Sequence, residues 1–382
     1  MTTELKLSES DDARLMQAAT TGPALGNSEQ DIRILAALKA TQQVSPSVGE
    51  KIGIRDGYLG FGGDSQPPGN WAPYGALWKQ DATTSEHPRS ATLVANTLNK
   101  FGTFGFISVG VIPWGDWSHT VYWAQPTDPQ VELRITNSHG NLAASQLIRL
   151  PKGAQPANSS DGHLLDVHPD GFCEELWSCQ QINWSLTKPV LTAINGNRTR
   201  IDGTGWEGNA TASHANLLAG IIRYEELAAG TINHPLFCVI PRGSELTDFG
   251  YGCQPASGSD GSYVHPAVHG DAKTSGSNLL PMGALMRLNY SDSEIAAKNW
   301  PAYRKTIIKA ASRKGFYFCD TGGNTPGFQF MSGTSYTSLG LPNPFIALAK
   351  KEGLYDNGGY YSFDIHTGVE WAQRLRVCIP FS

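Results

Sequence analysis

A β-rich body, built as a sandwich or jelly roll with a few peripheral helices, is the fold class this sequence predicts. Three observations predict it. Charged residues are only 16% of the 382, while 42 glycines and 23 prolines break the chain at short intervals. That balance suits many short strands joined by turns. Ten tryptophans supply bulky apolar surface in a chain of low charge. Finally, residues 131–136 alternate, with Val131, Leu133 and Ile135 on one face and Glu132, Arg134 and Thr136 on the other, as a strand with one buried side must.

The chain divides into an N-terminal appendage, 1–50, and a main domain, 51–382, with a sub-boundary near 150–160 as an option. In the appendage, Ser28 caps a short amphipathic helix, with Asp31 three residues on and Ile32, Leu35 and Leu38 as its apolar face. Residues 58–78, dense in Gly, Pro and aromatics, predict a loop. Strands are expected at 105–111, 121–124, 131–136 and 142–150. A turn cluster at 151–162 leads to the best hairpin candidate, His163–His168 against Cys173–Cys179 across His168-Pro-Asp-Gly. Tyr224–Ala229 reads as a short helix closed by Gly230. Cys238–Pro241 reads as a buried strand. Trp300–Lys314 is the clearest helix, with Pro301 in its first turn, Tyr303, Ile307, Ile308 and Ala311 on one face, and Gly315 closing it. Strands at 316–319 and 328–331 flank a Gly-Gly-Asn turn.

Bulk properties narrow the function classes. The net charge is −5, and no basic run interleaved with aromatics offers a track for phosphates, so nucleic acid is not an expected partner. No apolar stretch reaches about 18 residues, so no membrane span is expected. The polar start shows no apolar secretory segment. Six cysteines permit disulfides, with Cys173/Cys179 and Cys238/Cys253 as short-loop pairs, or six free thiols. Sequons at Asn158, Asn183, Asn197, Asn209 and Asn289 predict exposed loops. Gly-x-Ser-x-Gly, Gly-x4-Gly-Lys and His-Glu-x-x-His are all absent from the sequence, which argues against hydrolase elbows, nucleotide enzymes and zincins.

The ordered motifs Gly205-Trp206, Arg223-Tyr-Glu-Glu-Leu, Ala229-Gly-Thr-Ile-Asn-His234, His265-Pro-Ala-Val-His269, Pro281-Met-Gly, Arg287 and Asp320-Thr-Gly resemble a family of mostly uncharacterised bacterial proteins, often actinobacterial and of secreted type. Ser160-Asp-Gly-His163 and Glu175-Leu-Trp177 extend the likeness, which covers about 160–335. The chain departs from the family's commoner pattern at Asn233, where Asp is usual, and at His265, where Trp is expected. The resemblance implies a shared fold and carries no activity.

Candidate chemistry gathers in the same region. Glu175 beside Trp177 suits a general acid of raised pKa, and an edge carboxylate is the bland alternative. Asp320, at a strand end before a glycine turn, suits acid/base work or an Asx cap. His163, His234 and His269 complete the candidate catalytic set. The His265-x3-His269 spacing is compatible with a metal pair, but loop context favours polar or structural roles, and no metal or cofactor is expected. Trp114, Trp117, Trp123 and Trp177 offer flat faces to sugar rings or fill the core. Arg287 either meets a substrate carboxylate or pairs with Asp320 or Glu175. The expectation is an extracellular or virion-associated protein with a glycan partner, either cleaving it by acid/base chemistry or binding it without catalysis.

Overall fold

The structure is a computed structural model. It describes residues 79–380 except 111, 113–114, 138–139, 169, 242–248, 255–260, 272–277 and 324, together with the backbone at 53–55 and 58–60. The helix expected after Ser28, the appendage 1–50 and most of the 58–78 loop lie outside the described residues. One correction falls there: β1 (Gly53–Arg55) pairs antiparallel with β2 (Tyr58–Gly60), so the start of the expected loop is strand.

Helix α1 (Ser90–Phe101) leads into β3 (Phe106–Gly110), β4 (Thr120–Trp123), β5 (Gln130–Ile135), β6 (Ser145–Arg149), β7 (Leu164–Val167), β8 (Phe172–Trp177), β9 (Val190–Ala193) and β10 (Asn195–Arg200). The second half mixes helices and strands. It runs α2 (Tyr224–Ala229), β11 (Leu236–Ile240), β12 (Leu285–Leu288), α3 (Asp292–Ala297), α4 (Ala302–Arg313) and β13 (Phe316–Thr321). It continues through β14 (Gly327–Phe328), α5 (Thr334–Thr337), α6 (Pro344–Lys351), β15 (Tyr360–Asp364), α7 (Trp371–Arg374) and β16 (Leu375–Val377). Strands hold 27% of residues against 20% in helices, so the fold is strand-rich as expected.

Beyond the β1–β2 ribbon, four sheets organise the described residues, with strand orders β10-β8-β7-β4, β14-β11-β13-β12-β16, β15-β3 and β6-β5-β9. The four-stranded sheet has a face in each of two apolar cores. Tyr122, Leu164 and Leu176 join Val131, Leu133 and Leu191 of the three-stranded sheet in the smaller core. Val121, Leu165, Val167 and Cys173 point the other way, into the larger core around the five-stranded sheet. Polar side chains on β7 and β8 are therefore buried whichever way they point.

Local chemistry explains the elements. The expected 131–136 strand buries Val131, Leu133 and Ile135. The expected hairpin forms, pairing β7 with β8. Helix α2 ends on Gly230 in the left-handed region at φ 71°, whose N–H reaches back to Glu226 and Leu227. In α4 Pro301 is the residue before the first turn and not within it, and Tyr303, Ile307, Ile308 and Ala311 are buried. The strands on either side of the Gly322-Gly323 turn do not pair with each other. Strand β11 lies between them, parallel to β13 and antiparallel to β14.

One open alternative is decided and one expectation is corrected. None of the six cysteines forms a disulfide: Cys173 packs in the larger core from within β8, while Cys179 lies beyond that strand's end, past Ser178 at φ 54°, and packs against the smaller core. Among the sequons, Asn158, Asn183 and Asn289 are exposed, but Asn197 is buried in β10 with its amide donating to the Glu207 carbonyl. Asn209 is partly buried and bonded to Asn195.

Candidate active site

Strand β13 runs parallel to β11, and both end at the same edge, where Asp320 and Thr321 register with Val239 and Ile240. The carboxyl ends of parallel strands are where open sheets leave room for ligands. The loop 205–217 is stitched onto this edge. Ser213 N–H donates to the Cys319 carbonyl at 3.1 Å, and Ala212 N–H donates to Asp320 Oδ1 at 3.2 Å. Thr321 N–H donates to the same oxygen at 2.9 Å. Asp320 Oδ2 has no hydrogen-bond partner among the described residues. Burial, and then the negative charge of Asp271, push the Asp320 carboxyl up to about 8, so it holds its proton at neutral pH.

A second loop completes the edge. His269 Nδ1 lies 2.8 Å from the Ala212 carbonyl, which requires the hydrogen on Nδ1 and leaves the lone pair on Nε2 in the neutral ring. His214 stacks on His269 with centroids 4.9 Å apart and planes 11° from parallel. Burial, then the His269 charge, lower the His214 pKa. Its backbone sits at φ 64°, a left-handed conformation that a non-glycine residue adopts at some cost. Asp271 accepts from Thr321 Oγ1 at 3.1 and 3.2 Å. Asp161, raised by burial and bonded by Trp177, adds its charge to the field at Asp320.

The structure thus joins two predicted catalytic residues, Asp320 and His269, and sets Trp177 on Asp161 beside them. It adds His214, one of the catalytic-type polar residues of 205–333 but outside the candidate catalytic set, and Asp271 and Asp161, which sequence reasoning missed. Thr321 in Asp320-Thr-Gly was the visible link to Asp271, but nothing in the chain marks a contact between segments so far apart.

Glu175 holds the site without facing it. Fully buried, it accepts from Leu217 N–H at 2.6 Å on Oε1, and from Asn209 and Ala210 N–H at 3.1 and 3.4 Å on Oε2. Burial lifts it to about 7 against those three bonds. It pins both ends of the loop that carries Ala212 and His214.

The remaining candidates lie elsewhere. His163 is buried edge-on to His119, with centroids 4.5 Å apart. Burial lowers both, His119 to about 4, and neither ring's Nδ1 has a hydrogen-bond partner. His234, 1% exposed, bonds the Pro235 carbonyl and Glu226 at 2.8 Å, and Glu226 also takes Arg223 at 3.0 Å. That network ties α2 to β11. Arg287 pairs with Glu86 at 3.9 Å and Asn289 at 3.2 Å, in place of the expected Asp320 or Glu175. His265 is exposed, and His269 has His214 as its ring partner. Trp117 is half exposed and Trp123 packs against the larger core, while Trp114 lies outside the described residues. Asp116 is occupied by Ser118, Ser332 and Thr334.

A second cluster also escaped the sequence. Asp166 and Glu174 are direct partners across β7 and β8, and His168 Nε2 reaches both, at 3.0 and 2.6 Å. Burial opposes the charge on His168, but the two carboxylates outweigh it and raise the imidazole to about 10.

No protein-family model, curated protein or solved structure matches the chain.

Proposed function

We propose that this protein is a carbohydrate-active enzyme that cleaves a polysaccharide or cell-wall glycan by acid/base chemistry. The observation that carries the reading is Asp320: a carboxyl raised to about 8 beside a second carboxylate, Asp271, and an imidazole of fixed tautomer, His269. A carboxylic acid protonated at neutral pH can donate to a glycosidic oxygen. Asp271 or His269 then serves as the base, on water for hydrolysis or on a sugar C–H for elimination. Trp177, beside Asp161, offers a face to a sugar ring. On this reading the protein is extracellular or virion-associated and belongs with the uncharacterised bacterial family its motifs resemble. Its sheets stack sandwich-fashion about the smaller core.

A non-catalytic glycan-binding or virion structural role is the second reading. It is favoured by a cavity of about 690 Å³ on the three-stranded sheet, lined by Trp184, Leu147, Leu186, Glu132, Lys152 and Lys188. Incubating the protein with a glycan panel, while following reducing ends and the ultraviolet absorbance of unsaturated products, separates the readings. Reducing ends alone, lost in Asp320→Asn, mean a hydrolase, and a rise in absorbance means a lyase. Binding with neither signal from the wild type leaves the second reading.

A further inference from the structure

The four-stranded sheet places two carboxylates where a sheet should not tolerate them. Asp166 and Glu174 are register partners on the face toward the smaller core, and both are 0% exposed. Like charges directly opposite in a sheet repel, and burial makes the repulsion worse. Arg198 answers only part of this, bonding Glu174 Oε1 at 3.2 Å and Asp170 at 2.8 Å, and leaving Glu174 Oε2 to the cluster. Independently, Asp166 Oδ1 is buried with no hydrogen-bond partner, and Oδ2 has only its ion pair with His168. A buried carboxylate oxygen such as Oδ1, with no donor or cation of its own, is a place where a ligand fits.

We propose that Asp166, His168 and Glu174 form a binding site for one divalent first-row metal ion of borderline softness, such as Zn²⁺ or Co²⁺. One ligand atom from each residue lies within 4.8 Å of the other two. Atoms about 2.1 Å from a common ion stand roughly 3.0–3.4 Å apart, so the 3.0 Å pair already fits and the 2.6 Å pair opens by less than an ångström. One imidazole and two carboxylates suit such ions better than soft Cu(I) or all-oxygen Ca²⁺. The ion takes the place of the Nε2 hydrogen between the carboxylates, and the displaced proton leaves to solvent. His168, 13% exposed in its side chain, stands at the turn joining β7 to β8 and gives the ion its entry. Bound there, the ion clamps the hairpin whose opposite face carries Glu175. The site does not rest on the glycan reading.

The test uses the full chain after chelator treatment and exchange. Co²⁺ is the probe, followed by its visible d–d bands, with Zn²⁺ competing. One Co²⁺ per chain, displaced by Zn²⁺, and weakened at least tenfold in Asp166→Asn and His168→Gln, is the expected result. Binding that both variants leave unchanged overturns the site. Should those variants fail to fold, the wild type still decides: hydrogen exchange is mapped by mass spectrometry with and without Zn²⁺. Slowed exchange centred on the 164–177 hairpin supports the site. Slowing only elsewhere, or none, overturns it.

Discussion

At the scale of single residues the molecule turns on Asp320. Its carboxyl is pushed up to about 8 by burial and the charge of Asp271, well above the roughly 4 of an unfolded aspartate. The sign of the linkage follows. Below about pH 4 both folded and unfolded chains hold the proton. Between about 4 and 8 only the unfolded chain releases it, so the contribution of Asp320 to stability declines as pH rises through that window. Asp320→Asn should flatten this decline when melting temperature is followed against pH and, on the proposed reading, should lower glycan cleavage by roughly 10²–10⁴-fold, the span general acids supply. Wild-type cleavage should itself fall above about pH 8. A variant with unchanged cleavage would remove Asp320 from the chemistry. His234 is the counter-case. It sits in a buried Arg223–Glu226–His234 network, so His234→Ala should destabilise the fold by about 1–3 kcal/mol in denaturant titration and leave the rate per folded molecule within a few-fold. Both residues stood out in the sequence for the same reason, a polar group beside turn residues. What separates them is burial and partners, and those come from Asp271 and Glu226, which neither period nor spacing marks.

At the scale of elements, the sequence speaks clearly where a period or a turn residue repeats the demand of the fold. The β5 alternation, the β7–β8 hairpin and the apolar face of α4 all appear where residue spacing put them. It is silent about which strands become neighbours. Nothing in the Gly322-Gly323 turn says that β11 will sit between β13 and β14, and nothing in Glu174-Glu175 says that both faces of their sheet are covered. The Pro281-Met-Gly motif is an element-scale case whose meaning appears only in three dimensions. Gly283 has φ 81°, and a Cβ there would stand 2.0 Å from the Val264 carbonyl and 3.0 Å from Ala267 N. Both neighbours are backbone leading into the loop that presents His269. Gly283→Ala therefore meets a left-handed penalty of about 1–2 kcal/mol plus a clash that only backbone movement relieves. Melting should drop by several degrees and cleavage should fall with it. Gly283→Ala melting like the wild type would mean that the 261–271 loop yields without strain. Glu175→Gln tests the other loop. It replaces one of two acceptor oxygens with a donor facing backbone N–H groups, so a loss of about 1–3 kcal/mol is expected, together with faster hydrogen exchange at Asn209, Ala210 and Leu217.

At the scale of the whole molecule, stability has to come from packing, because no covalent cross-link contributes. The two cores, meeting at the four-stranded sheet, hold most of the apolar side chains, and all six cysteines are free within or beside them. Burial keeps five of these thiols protonated: Cys173, Cys238 and Cys319 lie well above the ordinary thiol value, Cys179 is raised, and Cys378 is raised to about 12. The thiolate is the nucleophile, so buried and protonated thiols react slowly. Two consequences can be measured on one sample. Melting temperature should be the same with and without reductant, since there is no loop for a disulfide to constrain. Thiol titration of the native protein should reach at most the two partly exposed residues, Cys179 and Cys253, with Cys179 the slower because burial raises its pKa. In denaturant without reductant all six should titrate. A count of four in denaturant would mean that one disulfide had formed. The short-loop pairs Cys173/Cys179 and Cys238/Cys253 would then return as candidates, and strand β8 could not keep Cys173 in the larger core while Cys179 packs against the smaller. The count in denaturant thus tests the placement of the central sheet as well as its redox state.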